Sequence, residues 1–493
     1  MVLLSLLAAD VPGAAVVAGG DYDVRRVVQD SRQAMPGDLF VAVRGLRVDG
    51  HDFACRAAAL GAALALERPL PLPPGTAWVR LADGRPALGH LAAALHGRPA
   101  RRLPIVGVTG TAGKSTATHM TAHVLASAGV PAGYLSTLEA CAGAVAVDNR
   151  SGQSTMEATE VQTWLARMRE RGDRAAVLEV TSHALVQDRV SACDFDVVAY
   201  TNIGIDHLDY HGTPEAYRQA KARLIHLCAT APAKGTPKTV VLNRDDASFA
   251  MLAELPVERR ITYGIDHPVD VRAVDVCDRS FRLTTAEGCA PVRLAMTGRH
   301  NVANALCAAG ACVALGVPLE RVAAGLSTFP GLRGRLEAVC HGQPFRVYID
   351  FAHSAVALEC VLRELRRGGG RLFSVFGATA RADHDRPGMG RAAARHADHF
   401  VITTDDPVTE DPADLARQVE SGAAGGRYEV ILDRRAAIRR ALALAGPGDT
   451  VLLAGKGHER TMQLAAGREP WDERAEAVAG LAELGYGDAP PAG

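Results

Sequence analysis

Ile105-Val-Gly-Val-Thr-Gly-Thr-Ala-Gly-Lys-Ser-Thr116 is the stretch whose reading decides the fold. Ile105 to Val108 is a short apolar run of the kind that forms a strand buried on both faces. It runs through Gly110-x-x-Gly113-Lys114-Ser115 into Ala117-Thr-His-Met-Thr-Ala-His-Val-Leu125, which reads as a helix. Strand, glycine loop and helix is the setting in which backbone N–H groups cradle phosphates. Gly110, Thr111 and Gly113 then line the loop, Lys114 neutralises the phosphates, and Ser115, followed by Thr116, brings a hydroxyl to magnesium. The spacer is shorter than in the general pattern, because Val108 stands where the first glycine would be. An incidental glycine turn is the competing reading, and Lys-Ser at a helix start behind a buried strand argues against it.

Outward from this loop the same rhythm continues. Ala175–Val180, Asp196–Tyr200 and Thr239–Leu242 are further apolar runs separated by helical segments, which predicts a parallel sheet covered on both faces. Upstream, shorter runs such as Asp38–Val43 and Ala62–Leu66 predict a small mixed α/β module, closed by the basic, Pro-containing Gly97–Pro104. Downstream, the breaker-rich Thr328–Gly334 precedes Phe345–Asp350, Leu372–Phe376, His399–Thr403 and Thr450–Ala454, a second strand-helix series. The expected architecture is α/β in three domains: 1–98, small and mixed; 99–333, a central P-loop parallel-sheet domain; 334–493, Rossmann-like. The tail from Asp488 is expected to be disordered.

Bulk properties narrow the function. The chain has 493 residues, 48% hydrophobic and 22% charged, with a net charge of -1, so nothing in the balance points to nucleic acid or a membrane surface. Met1–Asp10 is apolar but lacks a basic flank, and no run reaches the roughly 18 apolar residues of a membrane helix. The ten cysteines form no C-x-x-C pair and read as reduced thiols. A cytoplasmic monomer is expected.

Two further strand ends carry ligand chemistry. Glu179-Val-Thr-Ser-His183 and Thr201-Asn-Ile-Gly-Ile-Asp-His207 lie at the carboxyl ends of strands, where open α/β sheets bind ligands. Magnesium favours carboxylates and phosphate oxygens, which nominates Glu179 and Ser115, with His207 a further candidate. Thr213-Pro214 predicts a helix start, and Tyr217, Ala220 and Leu224 share a face that places Lys221 near the inward side. A surface lysine is the bland alternative.

Taken together these strings resemble the Mur ligase family, and within it the UDP-N-acetylmuramoyl-tripeptide synthetases, over nearly the whole chain. Thr109-Gly-Thr-x-Gly-Lys-Ser-Thr116 is similar to the family loop, with Ala112 where the family usually has Asn. Asp206-His-Leu-Asp-Tyr-His-Gly212 and Tyr217-x-x-x-Lys221 resemble the segment whose lysine carries carbon dioxide as a carbamate bridging to a second magnesium ion. The resemblance assigns Ser31, in Asp30-Ser-Arg32, to the uridine end of the substrate, and Ser154, Thr155, Ser182, Gln187 and Arg189 to the muramoyl part. It assigns Asn301, Asn304, Arg335, Asp350 and His353 to the nucleotide, and Arg386, Asp405, Asp406, Gly455 and Glu459 to the incoming amino acid.

The implied activity is ATP-dependent addition of a free amino acid to the carboxylate of a UDP-N-acetylmuramoyl dipeptide, through an acyl phosphate, in peptidoglycan precursor synthesis. Lys114, His207 and Lys221 would be the catalytic groups, with two magnesium ions, and Ser115, Glu179, His207 and carbamoylated Lys221 the ligands. Domain closure would bring the amine to the acyl phosphate. The sequence departs from the family at Ser154-Thr-Met156, at Phe351-Ala-His-Ser-Ala-Val356, at Ala378-Thr-Ala-Arg-Ala-Asp383 and at Asp405-Asp-Pro-Val408, where diaminopimelate-adding enzymes have Asp-Asn-Pro-Arg. Valine cannot form the bidentate contact of arginine to a distal carboxylate, so meso-diaminopimelate is not the expected substrate; a cationic or apolar side chain is. The same departures support an alternative, ligation of another carboxylate in specialised metabolism. A non-catalytic scaffold is opposed by the intact Lys114, Ser115, Glu179, His207 and Lys221.

Overall fold

A computed structural model describes residues 2–45, 48–380 and 385–487. The tail from Asp488 and positions 381–383 of the altered Ala378–Asp383 stretch lie outside them. The chain forms two compact units, Met1–Arg293 with Val302–Phe329, and Leu294–Asn301 with Pro330–Gly493.

The first unit is built on two large sheets and a two-stranded ribbon of Val2–Leu3 with Asp23–Val24. A five-stranded sheet runs in the order Ala15–Ala18, Trp78–Arg80, Ala63–Leu66, Asp38–Val41, Arg26–Val28, parallel except for the first strand. The segment leading out of it is tied down by Lys234, whose Nζ donates to the carbonyls of Ala100, Leu103 and Asp194 and pairs with buried Asp196 at 2.6 Å.

The second sheet has eleven strands. At its centre stand β1 (Ile105–Thr109), β2 (Ala132–Leu135), β3 (Ala175–Glu179) and β4 (Val197–Tyr200), mutually parallel in the order β2-β3-β1-β4. β1, β3 and β4 are buried along their whole lengths, the environment that a continuous apolar strand requires. Thr239–Asn243, Arg259–Gly264 and Val271–Cys277 extend the parallel part. Antiparallel strands finish both edges: Glu139–Ala142 and Val145–Asp148 on one side, Ser280–Thr285 and Gly288–Arg293 on the other. The latter ribbon was not anticipated, although Phe281 and Leu283 alternate with exposed or half-buried neighbours in a one-sided strand pattern.

Helix α1 (Lys114–Ser127) begins directly after the glycine loop, earlier than the apolar run from Ala117 indicated. Beyond the short α2 (Ser182–Val186), helix α3 (Pro214–Ala229) starts as predicted: Thr213 caps it by accepting from the Ala216 N–H, and Pro214 occupies the first turn. Its buried face is Tyr217, Ala220, Lys221, Leu224, Ile225 and Cys228.

The second unit is built on a six-stranded sheet in the order Glu337–Ala338, Arg346–Asp350, Thr450–Ala454, Leu372–Ala378, His399–Thr404, Tyr428–Val430, parallel except for the first strand. All ten cysteines are free thiols. Among the described residues no helix is long and apolar enough to cross a membrane.

One ion pair lies deep in the second unit: Arg434 and Glu473, 1% and 0% exposed, meet at 2.7 Å. Arg434 also donates to the Ala454 carbonyl and Trp471 Nε1 donates to Glu473. Removing one partner strands a buried charge, so Glu473→Ala is expected to lower the unfolding free energy by about 3–5 kcal/mol, read from denaturant melts. A loss below about 1 kcal/mol would contradict this reading of the pair.

Candidate active site

The glycine loop is held in shape by the segment after β4. Asn202 accepts from the Thr111 N–H at 2.8 Å and from the Ala112 N–H at 3.0 Å, and Thr201 Oγ1 donates to the Ala112 carbonyl. These contacts demand glycine at two positions. A Cβ on Gly110 (φ 153°) would meet Thr201 Oγ1 at 1.9 Å, and one on Gly113 (φ 84°) would meet Asn304 Oδ1 at 2.1 Å. Asn304 comes from helix α4 (Arg299–Ala314), so this helix reaches the loop as well. Thr111 Oγ1 bridges the Gly204 N–H and the Tyr217 hydroxyl.

Lys114 and Lys221 converge on one atom. Lys114 Nζ donates to the carbonyls of Gly110 at 3.1 Å and Thr111 at 2.9 Å, and Lys221 Nζ donates to the same Gly110 carbonyl at 2.7 Å. Lys221 is 1% exposed, with its Nζ 4.8 Å from the Tyr217 ring centre. Burial, then the charge of Lys114, drives its pKa well below that of an ordinary lysine, outweighing Asp206 and Glu179. Among the described residues the other buried lysines, Lys238 and Lys456, each pair with carboxylates, whereas none lies within ion-pairing distance of Lys221.

Glu179, at the end of β3, is 2% exposed and accepts from Ser115 Oγ at 2.8 Å. Two hard oxygen donors facing each other at the head of the glycine loop fit a magnesium ion, which prefers oxygen ligands. Thr116 is buried in the first turn of α1. His207 (φ 52°) has its Nε2 3.5 Å from Asp206 Oδ2 and its ring 4.8 Å from that of His183. His183, His211 and Tyr210 complete an aromatic cluster that single-residue reasoning passed over. Burial and the neighbouring histidines push His183 down to about 4, so it is neutral at physiological pH. Ser182 Oγ hydrogen-bonds His211 Nε2 at 3.0 Å.

Beside this lies a polar chain. Arg189 donates to Gln153 Oε1, to the Thr155 carbonyl and to Gln187 Oε1, and Gln187 donates to the Tyr210 hydroxyl. Thr155 Oγ1 donates to the Glu179 carbonyl at 2.9 Å, with Ser154 next to it, half-buried. Ser31 is buried in the five-stranded module, in a turn capped by Asp30.

In the second unit, Arg335 lies over the Phe351 ring at 4.8 Å, and the buried Asp350 accepts from the Leu336 and Ala352 N–H groups. His353 Nδ1 is 2.7 Å from the Phe351 carbonyl, and Asn301 donates to the Thr297 carbonyl. Arg386 is buried and engaged with Glu410, Gln418 and the Thr379 carbonyl. Asp405, Asp406 and Glu459 form an acidic group of cation-binding geometry, but its centre already holds a cation. Lys456, 0% exposed, lies 2.8 Å from Asp406, 2.6 Å from Glu459 and 3.9 Å from Asp405. A Cβ on Gly455 (φ 106°) would strike Asp405 Oδ2 at 2.1 Å. Lys456 lies inside the Gly455–Glu459 string, yet nothing in the string marks its side chain as turned toward the carboxylates.

Burial raises the Asp405 carboxyl from 3.8 to about 7, against the opposing pull of Lys456 and Arg434. The folded chain therefore keeps this proton where the unfolded chain has lost it. The Asp405 contribution to stability is complete below pH 3.8 and is lost as pH rises through about 7. Asp405→Asn is expected to flatten that decline in urea midpoints measured across this window; an unchanged slope would contradict it.

Three family models match in chain order: a Mur ligase family catalytic domain over residues 23–94, a Mur ligase middle domain over 108–312 and a Mur ligase glutamate ligase domain over 334–457. The chain is 43% identical to a UDP-N-acetylmuramyl-tripeptide synthetase of Roseiflexus sp. (strain RS-1), covering 94% of this chain and 96% of that one. It is 38% identical to a UDP-N-acetylmuramoyl-L-alanyl-D-glutamate--2,6-diaminopimelate ligase of Geobacillus kaustophilus, covering 98% and 100%. A solved structure of a ligase of the latter name superposes with a TM-score of 0.70 at 28% identity, over 98% of this chain and 99% of that one. The chain belongs to the Mur ligase family and is an ATP-dependent acid–amino-acid ligase of three-domain architecture.

Proposed function

We propose that this ligase adds an amino acid other than meso-diaminopimelate to the carboxylate of a UDP-N-acetylmuramoyl dipeptide, in the cytoplasm and as a monomer. The observation that carries the reading is the shared Gly110 carbonyl, which sets side by side a loop lysine and a buried lysine that, among the described residues, pairs with no carboxylate. Residues 1–98 would hold the nucleotide-sugar, with Ser31 at its uridine end; 99–333 the phosphates; and 334–493 the amino acid.

Amide formation from a free carboxylate needs its oxygen made into a leaving group. The γ-phosphoryl group passes from ATP to the carboxylate, and the amine then attacks the acyl phosphate, releasing phosphate. Both steps build charge on oxygen, so positioning and electrostatics carry the rate. Ser115 and Glu179, with His207 as a further ligand, would hold magnesium, which would supply charge neutralisation on the phosphate oxygens. Lys114 holds the terminal phosphate against the loop. Neutral Lys221 is the form that adds carbon dioxide: Nζ bonds to the carbon, one C=O bond opens to a carboxylate oxygen, one proton leaves Nζ, and a neutral site becomes an anionic one. Asn301, Asn304, Arg335, Asp350 and His353 would contact the nucleotide, and Ser154, Thr155, Ser182, Gln187 and Arg189 the muramoyl part.

Arg386, Asp405, Asp406, Gly455 and Glu459 would face the amino acid. Val408, 40% exposed, has no group to receive a distal carboxylate, and the acidic group around Lys456 suits a cationic side chain better than a zwitterionic one. A second reading, another carboxylate as acceptor, is favoured by Met156, which is buried in the core beside Thr155 where the family has proline.

ADP release across a panel of acceptors and amino acids tests both. Turnover of UDP-N-acetylmuramoyl dipeptide with lysine or an apolar amino acid, at least about tenfold above meso-diaminopimelate, is expected; turnover only with other carboxylates would favour the second reading, and preference for meso-diaminopimelate would overturn the specificity. Val408→Arg is expected to raise kcat/KM for meso-diaminopimelate about tenfold or more, the worth of a charge-assisted pair. Lys221→Arg is expected to cut kcat about 100-fold or more while ATP still binds.

A further inference from the structure

Glu179 presents a problem of its own. It is a buried carboxylate, and among the described residues no lysine, arginine or histidine pairs with it. Its charge is held by hydrogen-bond donors, and two of the three come from one residue, Thr137. The Thr137 N–H donates to Oε2 at 2.9 Å and Thr137 Oγ1 donates to Oε1 at 2.9 Å, while Ser115 Oγ takes Oε2 at 2.8 Å. Both oxygens are thereby fixed, and the carboxylate is turned toward Ser115.

Thr137 is itself held in place. It sits in the turn between β2 and Glu139–Ala142, where Ser136 Oγ accepts from the N–H groups of Leu138 and Glu139 at 3.2 Å. The buried His119 meets that same oxygen with Nε2 at 2.9 Å. His119 lies one turn after Ser115 on α1, so the contacts close a ring: Ser115 to Glu179, Glu179 to Thr137, Thr137 through Ser136 to His119, and His119 along the helix to Ser115.

We propose that Thr137 is a positioning residue that holds the Glu179 carboxylate in the orientation needed to ligate magnesium, with His119 and Ser136 fixing Thr137. This rests on the reading of Ser115 and Glu179 as metal ligands. Partners that orient a metal-binding side chain change metal affinity by about 10- to 100-fold when removed.

ATP binding to the full chain by titration calorimetry, in magnesium and in EDTA, tests this without turnover. Wild type is expected to bind more tightly in magnesium, and Glu179→Gln to lose that gain. Thr137→Val is expected to reduce the gain about tenfold or more while leaving EDTA affinity within about twofold, and Thr137→Ser to restore it. A Glu179→Gln variant that keeps the full gain would overturn the metal reading and this inference with it. Loss in Glu179→Gln but a full gain in Thr137→Val would overturn this inference alone. Should Thr137→Val melt below the assay temperature, Thr137→Ala makes the same comparison.

Discussion

The structure around the glycine loop depends on a buried amine, that of Lys221, with no carboxylate in ion-pairing distance among the described residues. Placing a lysine in a protein interior costs far more than any single hydrogen bond returns unless the charge is paired or the group becomes neutral. Lys238 and Lys456 take the first course with carboxylates at 2.6–3.0 Å. Lys221 is driven toward the second: burial and the charge of Lys114 hold its pKa well below that of an ordinary lysine, and its Nζ donates to the Gly110 carbonyl. A fold that merely needed packing there would be more stable with leucine.

Glu179 is the complement. Among the described residues it too is buried without an ion-pair partner, held by hydroxyl and N–H donors. A buried carboxylate and a buried amine of lowered pKa, set around one glycine loop, suit ions that arrive with the substrate. The second unit solves the same problem differently, with Lys456 as a resident cation among Asp405, Asp406 and Glu459.

Much of this could be read from sequence, and the limits have physical causes. The central strands were legible because a strand buried on both faces has to be a continuous apolar run, as Ile105–Thr109 and Ala175–Glu179 are. The α3 start was legible because Thr213-Pro214 acts locally. Lys221 could be placed on the inward side from helical spacing, though its sharing of a carbonyl with Lys114 depends on residues 111 positions apart. Thr137 and His119 escaped notice because their role exists only once α1, β3 and the turn after β2 are assembled. Lys456 stood in plain view within Gly455–Glu459, but whether such a lysine faces solvent or carboxylates is settled by backbone geometry, here by Gly455 at φ 106°.

The central claim is that Lys221 is neutral in the fold and reacts with carbon dioxide. Carbon-13 NMR of the protein equilibrated with labelled bicarbonate addresses it directly. The account requires one carbamate resonance in the wild-type chain that disappears in Lys221→Met while resonances from the chain terminus persist. Identical spectra for the two proteins, with no signal assignable to position 221, would contradict it.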